Sequence, residues 1–93
     1  MKSPQLELFD SEKPIPPATA IQMIDSIPAN REKLYVFETA RILLCSRGQV
    51  YKHIHSGAII AFDNRDETAT RSDYRIWVYS LKDFIRRRTE GAR

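Results

Sequence analysis

The sequence predicts a small α+β fold in which three to four helices accompany a β-hairpin. Two short helical runs meet at a turn within Phe37 to Gly57, which reads FETARILLCSRGQVYKHIHSG. A polar segment at 64–73 separates two runs of strand composition, AIIAF at 58–62 and YRIWV at 74–78. A last helical run follows and places three apolar residues on one side: Leu81, Phe84 and Ile85.

The N-terminal third divides into two segments. Residues 1–18 hold four prolines and no helical period, which predicts a flexible arm. Residues 19–33 predict a short amphipathic helix and a linker, with these apolar residues at helical spacing: Ala20, Met23, Ile24 and Ile27. An isolated helix of this length is marginal in water, so it must pack on a partner surface. We favour its own domain, residues 34–90, over a dimer or partner protein.

The remaining elements surround the hairpin. Lys33 to Phe37 has strand composition and can pair beside the hairpin. In YRIWV the alternation places Arg75 and Trp77 on the face opposite Ile76, and we favour a core position for Trp77 over a cover for the N-terminal helix. Ser80 has capping-box spacing to Asp83, which predicts that the last helix begins there and ends before Gly91.

The second helix of the central pair has the clearest signals. Ser46 and Gln49 have capping-box spacing, and Ser56-Gly57 predicts the end of the helix. Val50 and Ile54 lie on one side of it. The remaining surface carries hydrogen-bond donors: Arg47, Gln49, Lys52 and His53. A short helix with one anchored side and one donor-rich side is the form in which proteins present a helix to the DNA major groove.

Five short motifs follow one another along the chain: ETA at 38–40, SRxxVY at 46–51, SG at 56–57, YRI at 74–76 and SLKDFI at 80–85. With this order and spacing, the chain from Leu34 to about Arg88 resembles the excisionase-type winged helix-turn-helix domains. These are related to the MerR-type regulators and are common in bacteria, phages and mobile elements. The sequence departs from the family at Leu44, where a turn glycine is frequent, and at Gly48, where Ser or Thr is usual.

The resemblance implies a small winged helix-turn-helix fold that binds double-stranded DNA, as a transcription regulator or as an architectural factor in DNA recombination. Arg and Lys can reach guanine O6 and N7, and Gln can pair with adenine. Tyr51 and Arg75 are expected at the phosphate backbone. The hairpin would be the wing, and acidic neighbours oppose its two arginines, Arg65 and Arg71. The candidate DNA-binding residues are Ser46, Arg47, Gln49, Tyr51, Lys52, His53, Arg65, Arg71 and Arg75. A homodimer, a cooperative assembly on DNA and a recombinase partner are open alternatives.

The pentapeptide QLELF at 5–9 supports a second hypothesis. It resembles the bacterial sliding-clamp-binding motif, and the matching residues are Gln5, Leu6, Leu8 and Phe9. In that reading the chain is an adaptor that recruits the replication clamp. The alternative is that these apolar residues pack on the domain itself or have no partner.

Composition limits the other classes of function. The net charge is +3, and the basic excess lies in residues 34–93, with 11 Lys or Arg against 7 Asp or Glu. This charge permits a nucleic-acid partner. The single Cys45 and the two histidines have no zinc spacing, and no catalytic constellation is evident, so we expect no cofactor, no metal and no enzyme activity. Without an apolar run of membrane-spanning length, we expect a cytoplasmic protein associated with the nucleoid.

Overall fold

A computed structural model describes residues 14–66, 68 and 70–91. Within this part of the chain, four helices and a three-stranded antiparallel sheet confirm the small α+β fold. In chain order the elements are α1 (Pro17–Asp25), β1 (Lys33–Tyr35), α2 (Val36–Leu43), α3 (Arg47–Ser56), β2 (Ala61–Asp63), β3 (Tyr74–Trp77) and α4 (Val78–Arg88).

The sheet has the order β1-β3-β2, so the returning strand of the hairpin lies in the centre. Its inner face packs on the helices around Ile76, which lies opposite Leu34 on one side and Ala61 on the other. The predicted pairing of the first strand beside the hairpin is confirmed. The strand ends at Tyr35, two residues earlier than predicted, because the Glu38 carboxylate accepts the Tyr35 N–H (2.8 Å) and α2 begins at Val36.

The turn between α2 and α3 forms where the sequence predicts it. Leu44 has φ +57° and ψ +41°, the left-handed conformation that a turn glycine usually supplies. Ser46 then caps α3, since its hydroxyl accepts the Gln49 N–H (3.2 Å). At the other end, Gly57 with φ +85° terminates the helix. The predicted start and end of this helix are therefore confirmed.

We expect Leu44→Gly to stabilise the domain by about 0.5 to 1 kcal/mol, because the left-handed conformation costs a β-carbon residue about 1 to 2 kcal/mol and glycine's larger unfolded-state entropy offsets part of the gain. Thermal unfolding should shift upward by several degrees. Gly57→Ala is the matched opposite change, since an added Cβ there meets nothing within 4 Å and only the backbone conformation is penalised. Equal midpoints for Leu44→Gly and the wild type would contradict this account.

The N-terminal segment belongs to the packed domain from Ile15 onward. Ile15 is 2% exposed and pairs in parallel with Thr89: its N–H donates to Arg88 O and its carbonyl accepts the Glu90 N–H, both at 2.6 Å. The prediction of a flexible arm through residue 18 is therefore wrong for 14–18. The helix also begins earlier than predicted, at Pro17, because proline is preorganised for a first helical position.

The helix α1 packs against its own domain, as we favoured. It contacts α4 and α2, and its residues Ala20 and Met23 are buried, whereas Ile24 is half-buried. The fourth predicted apolar residue, Ile27, is also buried but lies beyond the end of the helix.

The last helix begins two residues earlier than its predicted cap. Trp77 is the N-cap of α4, and Ser80 is a buried residue in the first turn. The Ser80 hydroxyl accepts the Ile60 N–H (2.8 Å) instead of capping the helix. This bond ties α4 to the chain that leads into β2. The predicted capping box at Ser80 and Asp83 is thus wrong, although the predicted apolar side of the helix is buried.

Candidate nucleic-acid interface

The helix α3 has a buried and an exposed side. Val50 and His53 are buried and Ile54 is partly buried against the core. Six exposed residues occupy the remaining surface: Arg47, Gly48, Tyr51, Lys52, His55 and Ser56. Gln49 lies at the boundary and is half-buried. The Lys52 side of the helix therefore faces outward, whereas Gln49 is at its flank.

His53 does not belong to the exposed side, and its prediction as a DNA contact is wrong. It is 7% exposed, and its ring lies 4.7 Å from the ring of Phe84. Burial, and secondarily the charge of Arg88, lowers the pKa of His53, and its Nε2 atom has no hydrogen-bond partner. Helical spacing could have shown this, because residue 53 is i+3 from Val50 and shares its buried side.

His55 takes the exposed position that we had assigned to His53. Its ring stacks with Tyr51 at 6.5 Å and meets the edge of Tyr74 at 6.1 Å. Tyr51 in turn lies edge-to-face with Tyr74 at 6.0 Å and remains partly exposed. These rings join α3 to the start of β3. The ring of Tyr51 is thus held against neighbouring side chains of the domain.

An arginine-aromatic row, which the sequence did not reveal, runs from α3 to the sheet: Arg47, Phe37, Tyr35 and Arg75. The guanidinium of Arg47 lies 6.0 Å from the Phe37 ring centroid, and that of Arg75 lies 4.3 Å from the Tyr35 centroid. The two rings stack on each other with their centroids 5.6 Å apart. Phe37 and Tyr35 stay 44% and 42% exposed, so a large part of the row faces solvent.

The acidic residues at the base of the wing are bound to the hairpin itself. Asp63 Oδ1 accepts the N–H of Asp73 (2.9 Å) and of Arg65 (3.1 Å), and its carboxylate pairs with the Arg65 guanidinium at 3.1 Å. The hydrogen bond from the Asp73 N–H is the main cause that lowers the pKa of Asp63. Asp73 forms an ion pair with Arg75. Two of the acidic residues expected to oppose the wing arginines, Asp63 and Asp73, thus close the hairpin or pair with an arginine. Arg71 is exposed.

Trp77 lies on the outer face of the sheet, so its predicted core position is wrong. Its ring is 5.3 Å from Phe62 and 6.2 Å from Tyr79, and Lys33 lies over both Trp77 and Phe62. Strand alternation places Trp77 opposite Lys33, two residues from Arg75 on the same face. A polar groove of about 500 Å³ lies beside this cluster, between Arg31, Asn64 and Arg75.

No family model matches this chain, and neither a curated protein nor a solved structure matches it.

The remaining candidates are the Cys45 thiol, a metal site, a membrane-spanning helix and the pentapeptide at 5–9. Cys45 is buried, and burial raises the pKa of its thiol to about 11, which disfavours the reactive thiolate. Among the described residues, no three His, Cys, Asp or Glu side chains are grouped to hold a metal ion. No helix in this part of the chain is long and apolar enough to span a membrane. The pentapeptide at 5–9, with its proposed clamp contacts, lies outside the described residues.

Proposed function

We propose that this chain binds double-stranded DNA by placing the exposed side of α3 in the major groove. The observation that carries the proposal is the two-sided character of this helix. Val50 and His53 fix it to the core, while Arg47 and Lys52 project from a surface that no other described element covers. A helix of 10 residues capped at Ser46 has the length and exposure that the major groove admits.

Each element of the site has a distinct role in this proposal. Lys52 and the half-buried Gln49 read base edges, and Ser46 and Arg47 lie where the helix N-terminus favours a phosphate. Tyr51 and Arg75 contact the backbone beside the groove. The wing arginines, Arg65 and Arg71, add backbone contacts.

The sequence resemblance supports two biological roles for such binding, namely transcription regulation and an excisionase-type architectural role in DNA recombination. Both use the same contacts, since each requires a small domain that recognises a duplex. The architectural role requires that the bound DNA is bent, whereas regulation is possible with or without a bend. A fluorescence-transfer measurement of end-to-end distance in a bound duplex tests this, because an unbent duplex would exclude the architectural role.

We expect affinity for duplex DNA to fall with salt. With about five phosphate contacts, the slope of log affinity against log salt should be near −4 to −5. Fluorescence anisotropy with a labelled duplex, first selected from a random pool, measures both the affinity and the slope. Binding without salt dependence, or no binding to any selected duplex, would overturn the proposal.

Lys52→Ala should weaken binding, either on all sequences alike or at one base position. A phosphate contact predicts the first result, with a slope smaller in magnitude by about 1, and a base contact predicts the second, with about 1 to 3 kcal/mol lost at that position. Lys82→Ala on α4 is the control, because it removes the same charge away from α3. If the two variants bind equally well on every duplex, Lys52 does not belong to the site.

A further inference from the structure

The arginine-aromatic row brings together two arginines that are distant from each other in the sequence. Arg47 is the first residue of α3, and Arg75 lies in the middle of β3, yet both guanidiniums lie over rings that stack on each other. Tyr35 and Phe37 flank the junction of β1 and α2, so their positions are fixed by the sheet and by the first turn of a helix. Each ring of the row is therefore carried by a regular element of secondary structure.

A guanidinium that lies against an aromatic ring is restrained without using its hydrogen-bond donors. A contact through the flat face of a guanidinium leaves its five N–H groups, which lie in its plane, able to bind a phosphate in a bidentate manner. Arg75 uses part of this capacity in its ion pair with Asp73 and in its interaction with the Tyr35 side chain. Arg47 is exposed at the start of α3, where the helix dipole also favours an anion.

We propose that Phe37 and Tyr35 are positioning residues that hold Arg47 and Arg75 as two preorganised phosphate-binding groups on one surface. The inference rests on the proposed function, and its ligand is the sugar-phosphate backbone of duplex DNA. Neither ring reads a base. The rings reduce the conformational freedom that the two long side chains would lose on binding, so the affinity gained is independent of sequence.

The test uses a labelled mixed-sequence duplex, because phosphate contacts do not require a specific site. Phe37→Leu and Tyr35→Leu should each weaken binding by about two- to five-fold, the size of an exposed cation-π contact. Phe37→Tyr keeps the ring and should bind as the wild type does. Tyr35→Phe keeps the ring but removes the hydroxyl that interacts with Arg75, so it should lose less affinity than Tyr35→Leu. Circular dichroism and thermal melting monitor the fold, since each ring is only partly buried.

Double variants separate a positioning role from a merely structural one. If Phe37 acts through Arg47, then Phe37→Leu should have no further effect once Arg47 is Ala, and Tyr35→Leu should have none once Arg75 is Ala. Arg71→Ala on the wing is the control background, in which Phe37→Leu should keep its full effect. A loss of equal size in all backgrounds would overturn the positioning role.

The outcome also distinguishes this inference from the function on which it rests. A wild-type chain that binds the duplex with a strong salt slope, while both leucine variants bind equally well, would overturn the positioning role alone. A wild-type chain that binds no duplex would overturn the proposed function. In the supporting case, Arg47→Ala and Arg75→Ala each reduce the magnitude of the salt slope by about 1.

Discussion

Ile15→Ala should lower the free energy of unfolding by about 2 to 5 kcal/mol. The side chain is 2% exposed and lines a small internal space together with Met23, His53 and Phe84. Shortening it leaves a cavity between the N-terminal segment, α3 and α4. Because a domain of this size has about 5 to 10 kcal/mol of stability, the expected loss is a large fraction of the total free energy of unfolding. Urea unfolding followed by circular dichroism measures the change.

Ile21→Ala is the matched control for this variant. Ile21 is the same residue type a few positions along, but it is 62% exposed on α1. Its truncation should change the unfolding free energy by no more than about 0.5 kcal/mol. If both variants have the same stability as the wild type, the N-terminal segment does not dock on the domain in solution.

His53 should make the domain less stable as the pH falls. Burial lowers the pKa of His53 in the folded chain, so the unfolded chain, whose histidine titrates near 6.5, takes up the proton first. The stability is full above about pH 6.5 and declines as the pH falls through the lower folded-state value. One proton can contribute a slope of up to about 1.4 kcal/mol per pH unit.

His53→Leu should remove this slope, since leucine fills the space beside Phe84 without a group that must stay uncharged. It also removes Nε2, which has no hydrogen-bond partner, so stability at neutral pH should not fall sharply. The exposed His55→Leu is the control and should keep the wild-type slope. Urea midpoints between about pH 7 and about pH 5 test both, because carboxylates titrate near pH 4. Identical slopes in the wild type and His53→Leu would assign the pH effect to other groups.

The sequence was sufficient to predict the fold class and the limits of α3. These features depend on local signals, such as the Ser46 hydroxyl at the start of the helix and Gly57 at its end, and local hydrogen bonds satisfy both in the structure. Part of the sheet topology could also be predicted, because residues 33–35 have strand composition and were expected to pair beside the hairpin. The proposed contact residues could not be predicted as well, since they depend on which side chains face outward.

The errors came from contacts between distant segments. Ser80 has the spacing of a cap, but the Ile60 N–H competes for its hydroxyl from 20 positions away. Trp77 is large and apolar, yet its register opposite Lys33 places it on the outer face of the sheet, where its ring lies 5.3 Å from that of Phe62. The sequence could not predict that Arg47 and Arg75 belong to one row, because they are linked through two aromatic rings that only the fold brings together.

The parallel bridge between Ile15 and Thr89 determines where the two ends of the described chain meet. It brings positions 15 and 89 side by side at the end of α4, on the side where α3 is buried. The described chain therefore enters and leaves the domain at one corner, away from the exposed side of α3. Labels placed at positions 14 and 91 would lie close to each other at that corner.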